Sequence, residues 1–208
     1  MAVAALVIVY AAYLGRRIFD ERRDVAARVD AIVARADPDE LSLPAKRRDI
    51  LLRVEDPTFF ANKGIDLSTP GASMTTLSQS LGKRIFFDHF RPGFAKLELM
   101  ALTRFALYPK VPKDRVFKAW LATAYLGSNR GRRVTGFDDG ARTYLQKPLS
   151  RLSDQEFLTL VAMLPATDTL KPTRNAAANR DRVARIERLL AGRCQPTGLR
   201  DVMLAGCA

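Results

Sequence analysis

The chain has 208 residues, 48% of them apolar, enough for one domain with a buried core and a short appendage. A single histidine excludes a two-histidine metal site, and the two cysteines, Cys194 and Cys207, lack the spacing of a zinc centre. A net charge of +12 points to nucleic acid, anionic lipid or a phosphorylated substrate as partner.

The apolar run Ala2 to Leu14 opens the chain. A helix of that length reaches ~20 Å, short of the ~30 Å hydrocarbon core of a bilayer. Three readings are open: a signal-peptide core, a buried helix, or most of a membrane anchor that begins upstream of this start. The basic cluster Arg16, Arg17, Arg22 and Arg23 fits the third, at headgroup level. The positive-inside rule taken alone places that cluster in the cytoplasm. Ile18 to Ala36 has helical periodicity and reads as a connecting helix, so residues 1–36 form the anchor and residues 37–208 the main domain.

Asp37-Pro38-Asp39 reads as a break, and Leu43-Pro44 opens a helix to about Val54. Thr75 or Thr76 caps a helix to about Phe87. Further helical runs cover Phe94 to Leu107, Lys113 to Gly127, Phe137 to Leu145, Ser153 to Leu164 with a capping box, and Arg180 to Leu190. Gly127 to Gly136 reads as a basic loop, and no stretch alternates as a strand does. The expected class is mostly α. Cys194 and Cys207 are either a short-loop disulfide or two buried thiols.

Two clusters carry chemistry. Glu55-Asp56 ends a helix between apolar residues and Phe59-Phe60; apolar surroundings and a neighbouring carboxylate both raise a carboxyl pKa, which suits a general base. The bland alternative is a pair of surface carboxylates at a helix end. Thr75, Thr76, Ser78, Gln79 and Ser80 crowd the start of the next helix and are followed by Lys83-Arg84, a set that suits an anion. The bland alternative there is an ordinary capped helix. Ile85 to Phe94 adds phenylalanines beside Arg84 and Arg91, suited to a membrane interface or to the core.

In order and spacing these clusters resemble the peptidoglycan glycosyltransferase domain of monofunctional transglycosylases and bifunctional penicillin-binding proteins. Glu55, Asp56, Phe59, Gly64 and Asp66 match its motif E-D-x-x-F-x-x-H-x-G-x-D, with Asn62 at the histidine. Thr76, Gln79, Leu81 and Lys83 match G-G-S-T-I-T-Q-Q-L-A-K-N, with Ser73 and Met74 at the glycines and Arg84 at the final Asn. Glu98 stands at the glutamate of R-K-x-x-E, with Lys96 or Arg91 as its only basic company. Lys113-Asp114 opens the fourth motif, where Lys118 and Ala122 replace the family's Glu and Asn. The resemblance covers about Leu43 to Leu190, and its departures fall on polar positions.

The resemblance implies a lysozyme-like, two-lobed helical domain that polymerises lipid II, with Glu55 and Glu98 as catalytic residues. It implies support from Asp56, Phe59 and Gly64, and substrate binding by Thr76, Gln79, Lys83, Arg84 and Lys96. No cofactor is certain; the family allows a divalent metal, Mg or Mn, at Glu98. Its partners would be lipid II, the growing glycan strand, the membrane and cell-wall synthesis proteins, with no nucleic acid. The location implied is the bacterial inner membrane, with the domain on the extracytoplasmic face. Glu55 and Glu98 should face one groove with Lys83 between them. The departures keep open a scaffold that binds lipid II without polymerising it, and the shape keeps open glycan cleavage.

Overall fold

The computed structural model describes residues 2–71 and 75–208, so Ser73 and Met74, at the family's paired glycines, lie outside the described residues. The fold is mostly helical. Helix α1 is continuous over Ala2–Arg35, with no joint between apolar segment and connecting helix. It is long and apolar enough to cross a membrane by length and composition, and no residue of its most apolar stretch is buried. The helix carries on past Arg16-Arg17 through Ile18 and Phe19, so the stretch long enough to cross includes both arginines. Farther along, Val25, Val29 and Val33 recur every four residues, share one face and are buried, so this half docks on the domain.

The expected break at Asp37 is a one-turn helix, α2 (Pro38–Leu41), capped by the Asp37 carboxylate, which accepts from the Asp39 N–H. Helix α3 (Ala45–Glu55) ends at the acidic pair, and α4 (Leu77–Phe86) starts at Thr76, whose hydroxyl accepts from the Gln79 N–H. The run from Phe94 divides into α5 (Phe94–Leu102) and a π-helical turn, Thr103–Leu107. Gly64 sits against that turn with φ +90, and a Cβ there would lie 2.8 Å from Thr103 Cγ2. Only glycine allows this close approach.

Helix α6 (Lys113–Thr123) stops four residues before Gly127. In place of the expected basic loop, Tyr125–Asn129 (β1) and Arg132–Thr135 (β2) pair antiparallel, with Ser128 opposite Arg133 and Asn129 opposite Arg132. Their two-residue turn, Arg130-Gly131, has positive φ at both positions (50 and 78), as a tight hairpin requires. Only Leu126, Gly127 and Val134 in these strands are buried, which is why no alternation shows in the sequence.

Helices α7 (Phe137–Leu145), α8 (Asp154–Met163) and α9 (Ala176–Leu190) complete the domain, and α8 carries its capping box: Ser153 Oγ accepts from the Glu156 N–H while Glu156 Oε2 accepts from the Ser153 N–H. Rings of Phe59, Phe117, Trp120, Phe137 and Phe157 run in sequence through the core, with centroids 5.8 to 6.2 Å apart. Cys194 and Cys207 form a disulfide, with Cα atoms 5.3 Å apart.

Candidate active site

Helix α3 delivers Glu55 to one wall of a cleft of about 580 Å3. Lys83 and Arg84 of α4 line the same cleft, with Trp120, Tyr125 and Asp168. Burial pushes the Glu55 carboxyl up to about 7; the Arg182 guanidinium, 3.8 Å away, pulls it down, and Asp56 pushes it up. Arg182 comes from α9 and is 2% exposed, and its Nε and Nη1 have no hydrogen-bond partner. Glu55 therefore has the setting of a base poised near neutrality.

Behind Glu55 the first two motifs lock together. Asp56 is fully buried, and it accepts from the Leu77 N–H (2.9 Å) at the start of α4 and from Asn62 Nδ2 (2.8 Å). Burial raises Asp56 to about 6, against the pull of these donors and of Lys113. Asn62 Oδ1 in turn accepts from the Gly64 N–H (2.9 Å) and from Lys113 Nζ (3.0 Å). The Thr76 hydroxyl donates to the Gly64 carbonyl (2.8 Å). Phe59 is buried beneath this network, with Lys113 Nζ 4.4 Å above its ring. Asp66 is buried too, yet hydrogen bonds from Thr58, Thr69 and Ser68 hold its carboxyl far below the usual range. The carboxylate pair is thus divided: Asp56 is structural and Glu55 faces the cleft.

Several expected positions move. Thr76 and Gln79 do not line the groove: both are buried, because Thr76 caps α4 and Gln79 accepts from Lys96 Nζ (2.8 Å). Lys96 also donates to Thr75 Oγ1 (3.1 Å), and burial with the nearby Lys83 charge lowers it to about 8. It stands behind α4 and lines neither the cleft nor its extension.

Glu98 departs furthest from expectation. It does not share the groove with Glu55 and Lys83. Its carboxylate turns to α1, where it pairs with Arg17 and accepts from the Tyr13 hydroxyl (3.0 Å). Arg17 also donates to the Phe86 carbonyl (2.6 Å), so α1 grips the end of α4 through it. A metal ion does not fit Glu98 here: its partners are a cation and a phenol, and among the described residues the one group of three clustered carboxylates is Asp37, Asp39 and Asp138, on other elements.

At Ser80, Lys83 and Arg84 the cleft opens into a second cavity of about 710 Å3, which also takes in Arg91, Arg133 and His89. Burial lowers the Lys83 ammonium and brings Arg84 to about 10, with the neighbouring like charges adding to each effect. The C-terminal loop closed by the disulfide places Val202 in the cleft wall, and its Gly198 carbonyl accepts from the Gly71 N–H (2.9 Å).

Arg182, Lys113, Asp168 and the C-terminal loop are absent from the sequence reading of the site. Lys113 carried a signal, as the first residue of the fourth motif. Arg182 carried none, being one of several arginines on a basic amphipathic helix.

The Transglycosylase family model matches residues 28–191. Penicillin-binding protein 1B of Vibrio cholerae is 29% identical over 147 residues, which cover 64% of this chain and 19% of that protein. Penicillin-binding protein 1B of Escherichia coli is 29% identical over 157 residues, 68% of this chain and 18% of that protein. The biosynthetic peptidoglycan transglycosylase of Burkholderia cenocepacia is 28% identical over 163 residues, 72% of this chain and 64% of that protein. The chain thus spans about a fifth of the penicillin-binding proteins and just under two thirds of the transglycosylase. The matched span runs from the docked half of α1 to the end of α9 and includes Glu55, Lys83 and Arg84; the chain belongs to the transglycosylase family.

Proposed function

We propose that the protein is a membrane-attached peptidoglycan glycosyltransferase that joins lipid II units into β-1,4-linked glycan strands. The observation that carries this is a single cleft with a near-neutral carboxyl, Glu55, on one wall and two cations, Lys83 and Arg84, on another. Glu55 accepts the proton of the acceptor sugar's 4-hydroxyl as that oxygen bonds to the donor's anomeric carbon. The bond from that carbon to the diphosphate oxygen breaks on the opposite face, the configuration inverts, and polyprenyl diphosphate leaves with the electron pair. A diphosphate is already a good leaving group, so fixed positive charge serves it better than an acid. The cationic cavity distinguishes this reading from glycan cleavage, in which no phosphate departs.

Glu98 acts as a positioning residue, tying α5 to α1 beside the end of α4. Thr76, Gln79 and Lys96 hold α4 in place. Helix α1 anchors the domain in the bacterial inner membrane. The disulfide favours the oxidising, extracytoplasmic face, where lipid II is consumed. Lipid II, the growing strand and other cell-wall synthesis proteins are the partners, and no nucleic acid enters the reading.

The test is Glu55→Gln in a lipid II polymerisation assay. The variant keeps the side-chain shape and cannot accept the proton, so strand formation falls by about 10²- to 10⁴-fold. Polymerisation at the wild-type rate removes Glu55 as the base.

A further inference from the structure

We infer that the β1–β2 hairpin completes the diphosphate site, with Arg133 closing, from across the cavity, a cage begun by Lys83, Arg84 and Arg91. The inference rests on the proposed function and assigns it a binding residue from an element that the sequence motifs do not cover.

Adjacent residues of a strand point to opposite faces. Arg132 is spent on one face: it makes two bonds of 2.9 Å to the Asp139 carboxylate and one of 2.8 Å to Thr143. Arg133 lies on the other face, its guanidinium over the Tyr125 ring at 4.6 Å, and it lines the cavity that Lys83 and Arg84 enter from α4. Among the described residues, Lys83, Arg84, Arg91 and Arg133 form no salt bridge, and Asp88 is the one acidic side chain in the cavity wall. Four cations set against one carboxylate raise the free energy of the empty cavity, and a dianion that enters it relieves the repulsion. Burial lowers the Arg84 pKa, and the Arg133 charge adds to the fall.

A planar guanidinium bonds two phosphate oxygens at once, and an arginine parked on an aromatic ring is free to turn toward them. The cavity joins the Glu55 cleft at Lys83 and Arg84, so a diphosphate held here leaves its sugar at the base. Phe87 and Phe90 line the same cavity and suit the first isoprene units of the lipid.

The test measures binding of farnesyl diphosphate to the full chain in detergent, a readout that needs no turnover. Arg133→Ala lowers affinity about tenfold, and Arg132→Ala, which removes the same charge from the same hairpin, changes it less than twofold. Equal binding by Arg133→Ala and wild type overturns the inference, and so does an equal loss in both variants, which would mean diffuse surface charge. A second arm uses phosphatidylglycerol vesicles. If Arg133→Ala weakens vesicle binding and leaves farnesyl diphosphate binding intact, the cluster serves lipid headgroups and the inference fails. Thermal melting of each variant within a few degrees of wild type shows that the comparison reads the site. A wild-type protein that binds farnesyl diphosphate through Arg133 but makes no strands from lipid II sinks the polymerase reading and leaves this site standing.

Discussion

Replacing Arg182 with methionine separates the electrostatic from the structural part of the site. Its guanidinium lies 3.8 Å from Glu55 Oε1 and opposes the burial that holds Glu55 at about 7. Two unit charges about 4 Å apart interact by ~4 kcal/mol at an effective dielectric of ~20 and by ~1 kcal/mol in bulk water. At about 1.4 kcal/mol per pKa unit, loss of the cation raises Glu55 by about 1 to 3 units. The base acts in its ionised form, so the acidic limb of the kcat profile moves up by the same amount. At pH 7 a midpoint moved from about 7 to about 8 leaves roughly a tenth of the base ionised in place of half, a fall of about fivefold or more. The ratio of variant to wild-type rate then climbs with pH, because alkaline losses common to both proteins cancel. Stability falls little at acid pH, where Glu55 is protonated and methionine relieves the burial of a guanidinium whose Nε and Nη1 are unpartnered, and falls more as pH rises and the Glu55 charge is left without its partner. The assay is initial rate on lipid II from pH 5.5 to 9.5, with melting followed in parallel. A uniform loss at every pH, or an unmoved midpoint, would refute the reasoning.

Glu40→Gln separates stability from catalysis. Glu40 is buried, accepts from the Asp138 N–H (3.0 Å), and is raised to about 7 by burial. A carboxyl raised in the folded state supports folding fully below its unfolded pKa and loses that support as pH rises through about 7. Glutamine, always neutral, therefore stabilises the protein by up to about 3 kcal/mol at pH 8 and by about 1 kcal/mol or less at pH 5, by denaturant melts at both pH values. Because Glu98 is paired with Arg17 and Tyr13, a chelator changes the polymerisation rate less than twofold; a tenfold loss restored by Mn would show a metal site elsewhere. Reducing the Cys194–Cys207 disulfide costs about 3 kcal/mol by loop entropy. It also frees the loop that carries Val202, so melting temperature and rate fall together and return on reoxidation.

The helical frame was legible because its signals are local. Thr76 and Ser153 cap where capping residues are expected, and Phe137–Leu145 has the expected bounds. The hairpin was not legible, since its short strands bury few side chains and a basic Arg-Gly turn reads as loop. In the site, the motifs marked the right segments but not the roles within them. Asp56 holds the end of α3 to α4, Thr76 caps α4 and Gln79 takes Lys96 of α5, and a pattern of residue types does not distinguish a hydroxyl that lines a groove from one that caps a helix.

Glu98 shows why linear pattern and site diverge. The expectation of two acids across one groove came from the family resemblance. The partner that decides where Glu98 points is Arg17, 81 residues away on α1. Arg17 also caps the Phe86 carbonyl, and Arg28 caps that of Ile85 (2.7 Å), so α1 supplies donors that the end of α4 would otherwise lack. Lys83 and Arg84 sit one turn upstream on that same helix. Their placement relative to Glu55 thus depends on α1, whose Arg17 and Arg28 hold the end of α4.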